Sequence, residues 1–147
     1  MGFLDGIKKA AGDLTTKAKQ FKNNDFKEAV ISICARVAAA DGTIAPTEKK
    51  AVAKAIQSFE ALKVFDARDL GNLFNNYCDE ATDDFGIINL NNRISKISKN
   101  RDASLTAIQI GIAIANSDGN FSADEKKVVK ELLGLLKLSE ADLGIEL

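Results

Sequence analysis

The sequence predicts an all-α protein: a single helical domain of about seven to eight helices, spanning 1–147 and built from two pseudo-symmetric helix–turn–helix halves. Three observations predict it. Ala, Leu, Ile and Lys are plentiful and Pro46 is the only proline, a composition that favours helix. Apolar residues recur at spacings of three and four, and no segment sustains the period-two alternation of a strand. An acidic turn with its two flanking helices occurs twice. The 147 residues are enough for one core. With 46% hydrophobic and 28% charged residues the chain suits a packed fold, not disorder.

The elements follow in order. Leu4, Ile7, Ala11, Leu14, Ala18 and Phe21 form one apolar stripe, flanked by Lys8, Lys9, Lys17, Lys19 and Lys22, which reads as an amphipathic N-terminal helix over 1–22. Two alanines in that stripe would grip lipid weakly, so it is expected to face protein and not a membrane surface. Asn24 or Asp25 is placed to cap a helix over Phe26–Ala40, and Asp41-Gly42 stops it. Pro46 suits the first turn of a helix reaching about Gln57. Phe59–Phe65 reads as a short helical turn. Asp66 caps a helix with Leu70, Leu73, Phe74 and Tyr77, and Asp83-Asp84 precede another with Phe85, Ile87, Ile88, Ile94 and Ile97. Asp102 caps Ala103–Ser117, and Asp118-Gly119 stop it. Ser122 caps the last long helix, through about Leu136, and Ser139 opens a short terminal turn.

Composition also excludes function classes. A net charge of −1 is no footprint for nucleic acid. No run of about 18 apolar residues exists to span a membrane. The start, Met1-Gly2-Phe3-Leu4-Asp5-Gly6, lacks a signal-peptide apolar block, and Gly6 stands where a myristoylation motif needs Ser or Thr. Histidine is absent, which removes Ser-His-Asp, Cys-His and His-based zinc chemistry. Cys34 and Cys78 lie in helical patterns and read as a reduced, partly buried pair, with no Cys-x-x-Cys motif.

Aligning Asp41 with Asp118, an offset of 77, pairs Ile31 with Ile108, Ile33 with Ile110, Ala38 with Ala115, Gly42 with Gly119, Ile44 with Phe121, and Glu48-Lys49-Lys50 with Glu125-Lys126-Lys127. Shared amphipathicity does not explain identical polar residues. An internal duplication of 26–57 and 103–136 does. Glu125 stands three residues after Ser122, a capping box, whereas the cap position before Glu48 is Ala45, which accepts no hydrogen bond. An acid one turn into a helix and an aspartate at the end of the preceding one converge on one turn, and their hard oxygens suit Mg²⁺, Ca²⁺ or Mn²⁺. Asp41, Glu48, Asp118 and Glu125 are therefore the candidate metal ligands. The segment matches the back half of an EF-hand loop, but its first ligand position falls on Val37 or Ile114, which cannot coordinate calcium. A second acidic group, Asp79, Glu80, Asp83 and Asp84, reads as a solvated corner.

Phe26–Ala40 with Asp41-Gly42, the tract Glu60-Ala61-Leu62-Lys63-Val64-Phe65-Asp66, and Gly111–Phe121 with its Asp118-Gly119 turn resemble the TerB family of tellurite-resistance proteins. The resemblance covers nearly the whole chain. It implies two pseudo-symmetric helical halves and a cytoplasmic bacterial protein of the stress response to tellurite. It also implies metal binding at the family's acidic positions, which here are Asp41, Glu48, Asp118 and Glu125, with the divalent ion (Ca, Mg, Mn or Zn) left open. The partner it implies is an integral membrane component resembling a metal-ion transporter, so that the chain meets the inner membrane through that partner.

The leading expectation is thus a non-enzymatic divalent-metal-binding adaptor. A metal-free helical interaction module at the cytoplasmic membrane face is the alternative, and divalent-dependent melting separates the two. A carboxylate-based hydrolase ranks below both, because no Trp and one Tyr offer little to line a substrate cleft.

Overall fold

The computed structural model describes residues 23–116 and 121–147. Among them are seven α-helices and one 3-10 turn, and no strand, so the protein is all-α. The helices are α1 (Asn24–Ala38), α2 (Pro46–Ile56), α3 (Ala67–Glu80), α4 (Asp84–Ser95), α5 (Arg101–Ala115), α6 (Ala123–Leu136) and α7 (Glu140–Leu143), with the 3-10 turn at Glu60–Leu62 between α2 and α3. The N-terminal helix expected over 1–22 lies outside the described residues, as do Asp118 and Gly119.

Each start has a local cause. Asp66 Oδ1 accepts from Asp69 N at 2.9 Å and Asp83 Oδ1 from Gly86 N at 2.7 Å, fixing α3 and α4. Pro46 occupies the first turn of α2, where its missing N–H costs nothing. Ser122 and Ser139 each complete a capping box. Two caps differ from expectation. Asn23, not Asn24 or Asp25, accepts from Phe26 N at 2.8 Å, and Asn100, not Asp102, accepts from Ala103 N at 3.0 Å. Asp102 instead sits in the first turn of α5, where a carboxylate suits the helix dipole. α1 ends at Ala38 and α5 at Ala115, two residues earlier than expected for each.

The core is built around α1 and α5, which pack on each other. Every residue from Ala29 to Val37 is buried, and nearly all of α5 is. A helix apolar on all sides needs neighbours on all sides. α1 has them in α3, α4, α5 and α6. Phe26, Phe74, Leu70, Leu90, Ile94, Val129 and Leu132 fill the space between. Arg36, the one buried charged residue among the described residues, reaches out of α1 to Asn91 Oδ1 on α4 and, at 2.8 Å, to Glu131 Oε2 on α6. Its guanidinium is thereby paired rather than stranded in low dielectric.

Cys34 and Cys78 are free thiols, as expected, but fully buried rather than partly so. Phe85 and Ile88, which the sequence reading named among the apolar residues of α4, do not join the core. They are 83% and 53% exposed, and the buried face consists of Gly86, Leu90 and Ile94.

Candidate functional site

The first acidic turn is shaped by its own backbone. After α1, Ala40 N donates to Val37 O at 3.2 Å and Gly42 N to Ala39 O at 2.9 Å. Gly42 takes φ +96°, a conformation that side chains disfavour. Asp41 Oδ1 accepts from Thr43 N at 3.2 Å, the local bond by which aspartate stabilises a turn. Ile44 then packs against the core, and Ala45 leads into Pro46 and α2. Glu48 stands at the third helical position, exposed, with no capping bond to the preceding residues.

The start of α6 reaches the equivalent position with different chemistry. Ser122 Oγ accepts from Glu125 N at 3.1 Å, and Glu125 Oε1 accepts from Ser122 N at 2.8 Å. Part of the Glu125 carboxylate is therefore committed to its own helix, and that of Glu48 is not.

The fold brings the first acidic turn and the start of α6 to one cleft of about 280 Å³. The ends of α1 and α5 form its floor, where Val37 and Ile114 stand; the α1–α2 turn and the starts of α2 and α6 form its rim. Asp41, Glu48, Ser122 and Glu125 are its polar lining. Three of the four candidate ligands thus meet at one place, and the fourth, Asp118, lies outside the described residues. The sequence reading treated Ser122 only as a cap and Val37 and Ile114 only as failed calcium ligands. The pairing of Val37 with Ile114 under the 77-residue offset was the available sign that they form a shared floor.

The donors in this cleft are carboxylate and hydroxyl oxygens, the set a hard divalent cation takes. Among the described residues no group of three or more acids, cysteines or histidines closes on a single point as a complete cage. The thiols are elsewhere and unsuited: burial pushes Cys34 up to about 12 and Cys78 up to about 11, so both hold their protons. The first lysine of each paired Glu-Lys-Lys tract has a partner other than the cleft acids. Lys49 Nζ is 3.9 Å from Asp79 Oδ1, and Lys126 Nζ lies 5.9 Å from the centre of the Phe121 ring. The second acidic group is likewise accounted for. Glu80 pairs with Arg93 at 3.0 Å and Asp83 caps α4. Among the described residues no helix is long and apolar enough to cross a membrane.

No solved structure matches this chain. A curated relative does: the tellurium resistance protein TerB of an Alcaligenes species is 33% identical over 79 residues, covering 51% of this chain and 65% of the relative. The chain therefore spans less than two thirds of that relative's length. The family described as tellurite resistance protein TerB matches residues 27–145, a stretch that holds α2 to α7, nearly all of α1 and the entire cleft. The all-helical fold and this match agree, and the chain belongs to the TerB family of tellurite-resistance proteins.

Proposed function

We propose that this protein is a non-enzymatic, divalent-cation-binding adaptor of the tellurite-resistance system, with Asp41, Glu48, Asp118 and Glu125 supplying carboxylate oxygens and water the remaining positions. The observation that carries the reading is the shared cleft: Asp41 and Glu48 open on the same space as Glu125, the residue 77 positions after Glu48. Acids gathered around one opening repel unless a cation or solvent intervenes. Capping accounts for Glu125 but not for Glu48, whose cap position is Ala45. With few carboxylates per turn, affinity is modest compared with an oxygen cage of six to eight ligands.

The same reading takes the two turns as copies of one duplicated unit. The 77-residue offset supports it, because it maps α1 onto α5 end for end, Asn23 onto Asn100, and the start of α2 onto the start of α6. The reading has the protein in the cytoplasm, engaging an integral membrane component that resembles a metal-ion transporter; the family resemblance supports this part. A hydrolase is disfavoured because Asp41 and Glu48 are both exposed, whereas a proton-retaining catalytic acid is sheltered from water.

Calorimetric titration with Ca²⁺, Mg²⁺, Mn²⁺ and Zn²⁺ tests the proposal, repeated on Glu48→Gln combined with Glu125→Gln. These changes keep size and helix propensity while removing charge. Binding should fall sharply while the circular dichroism stays helical. Titrations indifferent to the double substitution, for every ion, leave the acids as turn and cap residues and favour the metal-free interaction module.

A further inference from the structure

The cleft is larger and more apolar than a metal ion alone requires. At about 280 Å³ it approaches the roughly 300–1,000 Å³ of small-molecule sites, which are mostly apolar with a few placed polar groups. Its floor includes Val37 and Ile114, both buried, and α2 lines it with Ala51 and Val52. The positions 77 residues on from Ala51, Val52 and Ala55 hold Val128, Val129 and Leu132, all buried. Ala51 itself is exposed, and Val52 and Ala55 are half-buried. α2 thus presents alanines where α6 presents valine and leucine, and the cleft opens beside Ala51.

We infer that this cleft binds an aliphatic diammonium ion, its methylenes lying on Val37, Ile114 and Val52 and its two ammonium heads at Asp41–Glu48 and at Glu125. The inference rests on the reading of the rim acids as cation ligands, and it adds the apolar floor to the site.

Charge and spacing select that occupant. Asp41 and Glu48 belong to the α1–α2 turn and the start of α2, and Glu125 to the start of α6. Negative charge therefore reaches the rim from two separate parts of the chain, above an apolar floor. Among the described residues no three acids close on one point. A single metal ion holds its oxygens at about 2.0–2.6 Å and needs them gathered. Two ammonium groups joined by a short chain suit acids that stand apart, and each brings three N–H donors for carboxylate oxygens. Glu125 already accepts from Ser122 N, and a carboxylate accepts more than one such bond. The chain between the heads displaces water from Val37 and Ile114, a gain that a hydrated metal ion does not make. A monoamine leaves one side of the rim uncompensated, and an anion is repelled.

Calorimetric titration of the full chain at pH 7 tests this with 1,3-diaminopropane, 1,4-diaminobutane, 1,5-diaminopentane, butylamine, Mg²⁺ and Ca²⁺, each alone. Diamine affinity should rise along the series by up to about fourfold per methylene, because each added methylene is taken from water. Butylamine should bind about tenfold more weakly than 1,4-diaminobutane, having lost one charge-assisted pair. Ala51→Leu fills part of the cleft and should lower diamine affinity by about tenfold while leaving the metal titrations as they are. Val52→Phe serves the same purpose if the first change lowers the melting temperature. Diamine binding with silent metals supports this inference and overturns the metal reading; bound metals with silent diamines do the opposite, and silence from both overturns both. Two further results overturn the inference: affinity that falls as the diamine lengthens, which is attraction to charge alone, and diamine binding indifferent to both cleft-filling changes.

Discussion

Gly111 meets Ile33 with no room for a β-carbon: one built at Gly111 would stand 2.4 Å from Ile33 Cγ2. α1 and α5 approach each other closely here, in a core with no slack on either side, since both residues are buried. Gly111→Ala gains helix propensity of about 1 kcal/mol but forces the two central helices apart, an overpacking cost of about 1–3 kcal/mol. The expected outcome is net destabilisation, read as a lower urea midpoint with unchanged slope. Gly86→Ala should cost more, because its β-carbon would lie 1.8 Å from the backbone carbonyl oxygen of Glu80, which cannot rotate away.

Ala45 and Ser122 occupy equivalent cap positions with opposite capacities. Ser122→Ala should cost about 1 kcal/mol of stability. Ala45→Ser should raise stability by up to about 1 kcal/mol, because the new hydroxyl lets Glu48 close a capping box of its own. If Glu48 is a cation ligand, the same change should also shrink the rise in melting temperature produced by divalent ions, since the carboxylate is then held elsewhere. An undiminished rise separates Glu48 from the cation.

The α1–α5 interface contains polar atoms that the packing leaves without partners: Ser32 Oγ, Thr106 Oγ1 and Gln109 Oε1. A buried hydroxyl without a hydrogen bond costs about 1–3 kcal/mol. Thr106→Val keeps the shape and removes the hydroxyl, so the melting temperature should rise by a few degrees in calorimetry. A fall would mean that the hydroxyl is satisfied by ordered water.

Both thiols are held above the ordinary value of 9.0, chiefly by burial. The folded chain therefore keeps protons that the unfolded chain releases. Their contribution is fully present below about pH 9 and is lost as the pH rises toward about 11–12, so alkali should unfold the protein as it ionises them. At pH 8 a thiol reagent should label neither Cys34 nor Cys78 in the native state and both in urea. Fast native labelling of either would place it at the surface.

Helix order and most caps were legible because they are local: Asp66, Asp83, Ser122 and Ser139 each announce the helix that follows. Asn23 and Asn100 were missed because Asn23-Asn24-Asp25 and Asn100-Arg101-Asp102 offer competing caps, and burial in the core decides the register. Phe85 and Ile88 misled for a related reason. Counting apolar side chains gives glycine no weight, yet Gly86 is what lets α4 lie against the end of α3, and its face, with Leu90 and Ile94, turns the larger residues outward. The convergence of Asp41, Glu48 and Glu125 on one cleft had only the pairing of Val37 with Ile114 to announce it, because it depends on how α1 and α5 cross in three dimensions.

Because α1 is wrapped by α3, α4, α5 and α6, all of which follow it in the chain, it is made long before it is covered. On the ribosome its unbroken apolar stretch from Ala29 to Val37 stays partly exposed until α5 and α6 have emerged, because α3 and α4 cover only some of its sides. Synthesis thus carries an interval in which this segment is available to chaperones and to aggregation, and it ends only when the second half of the protein closes over the first.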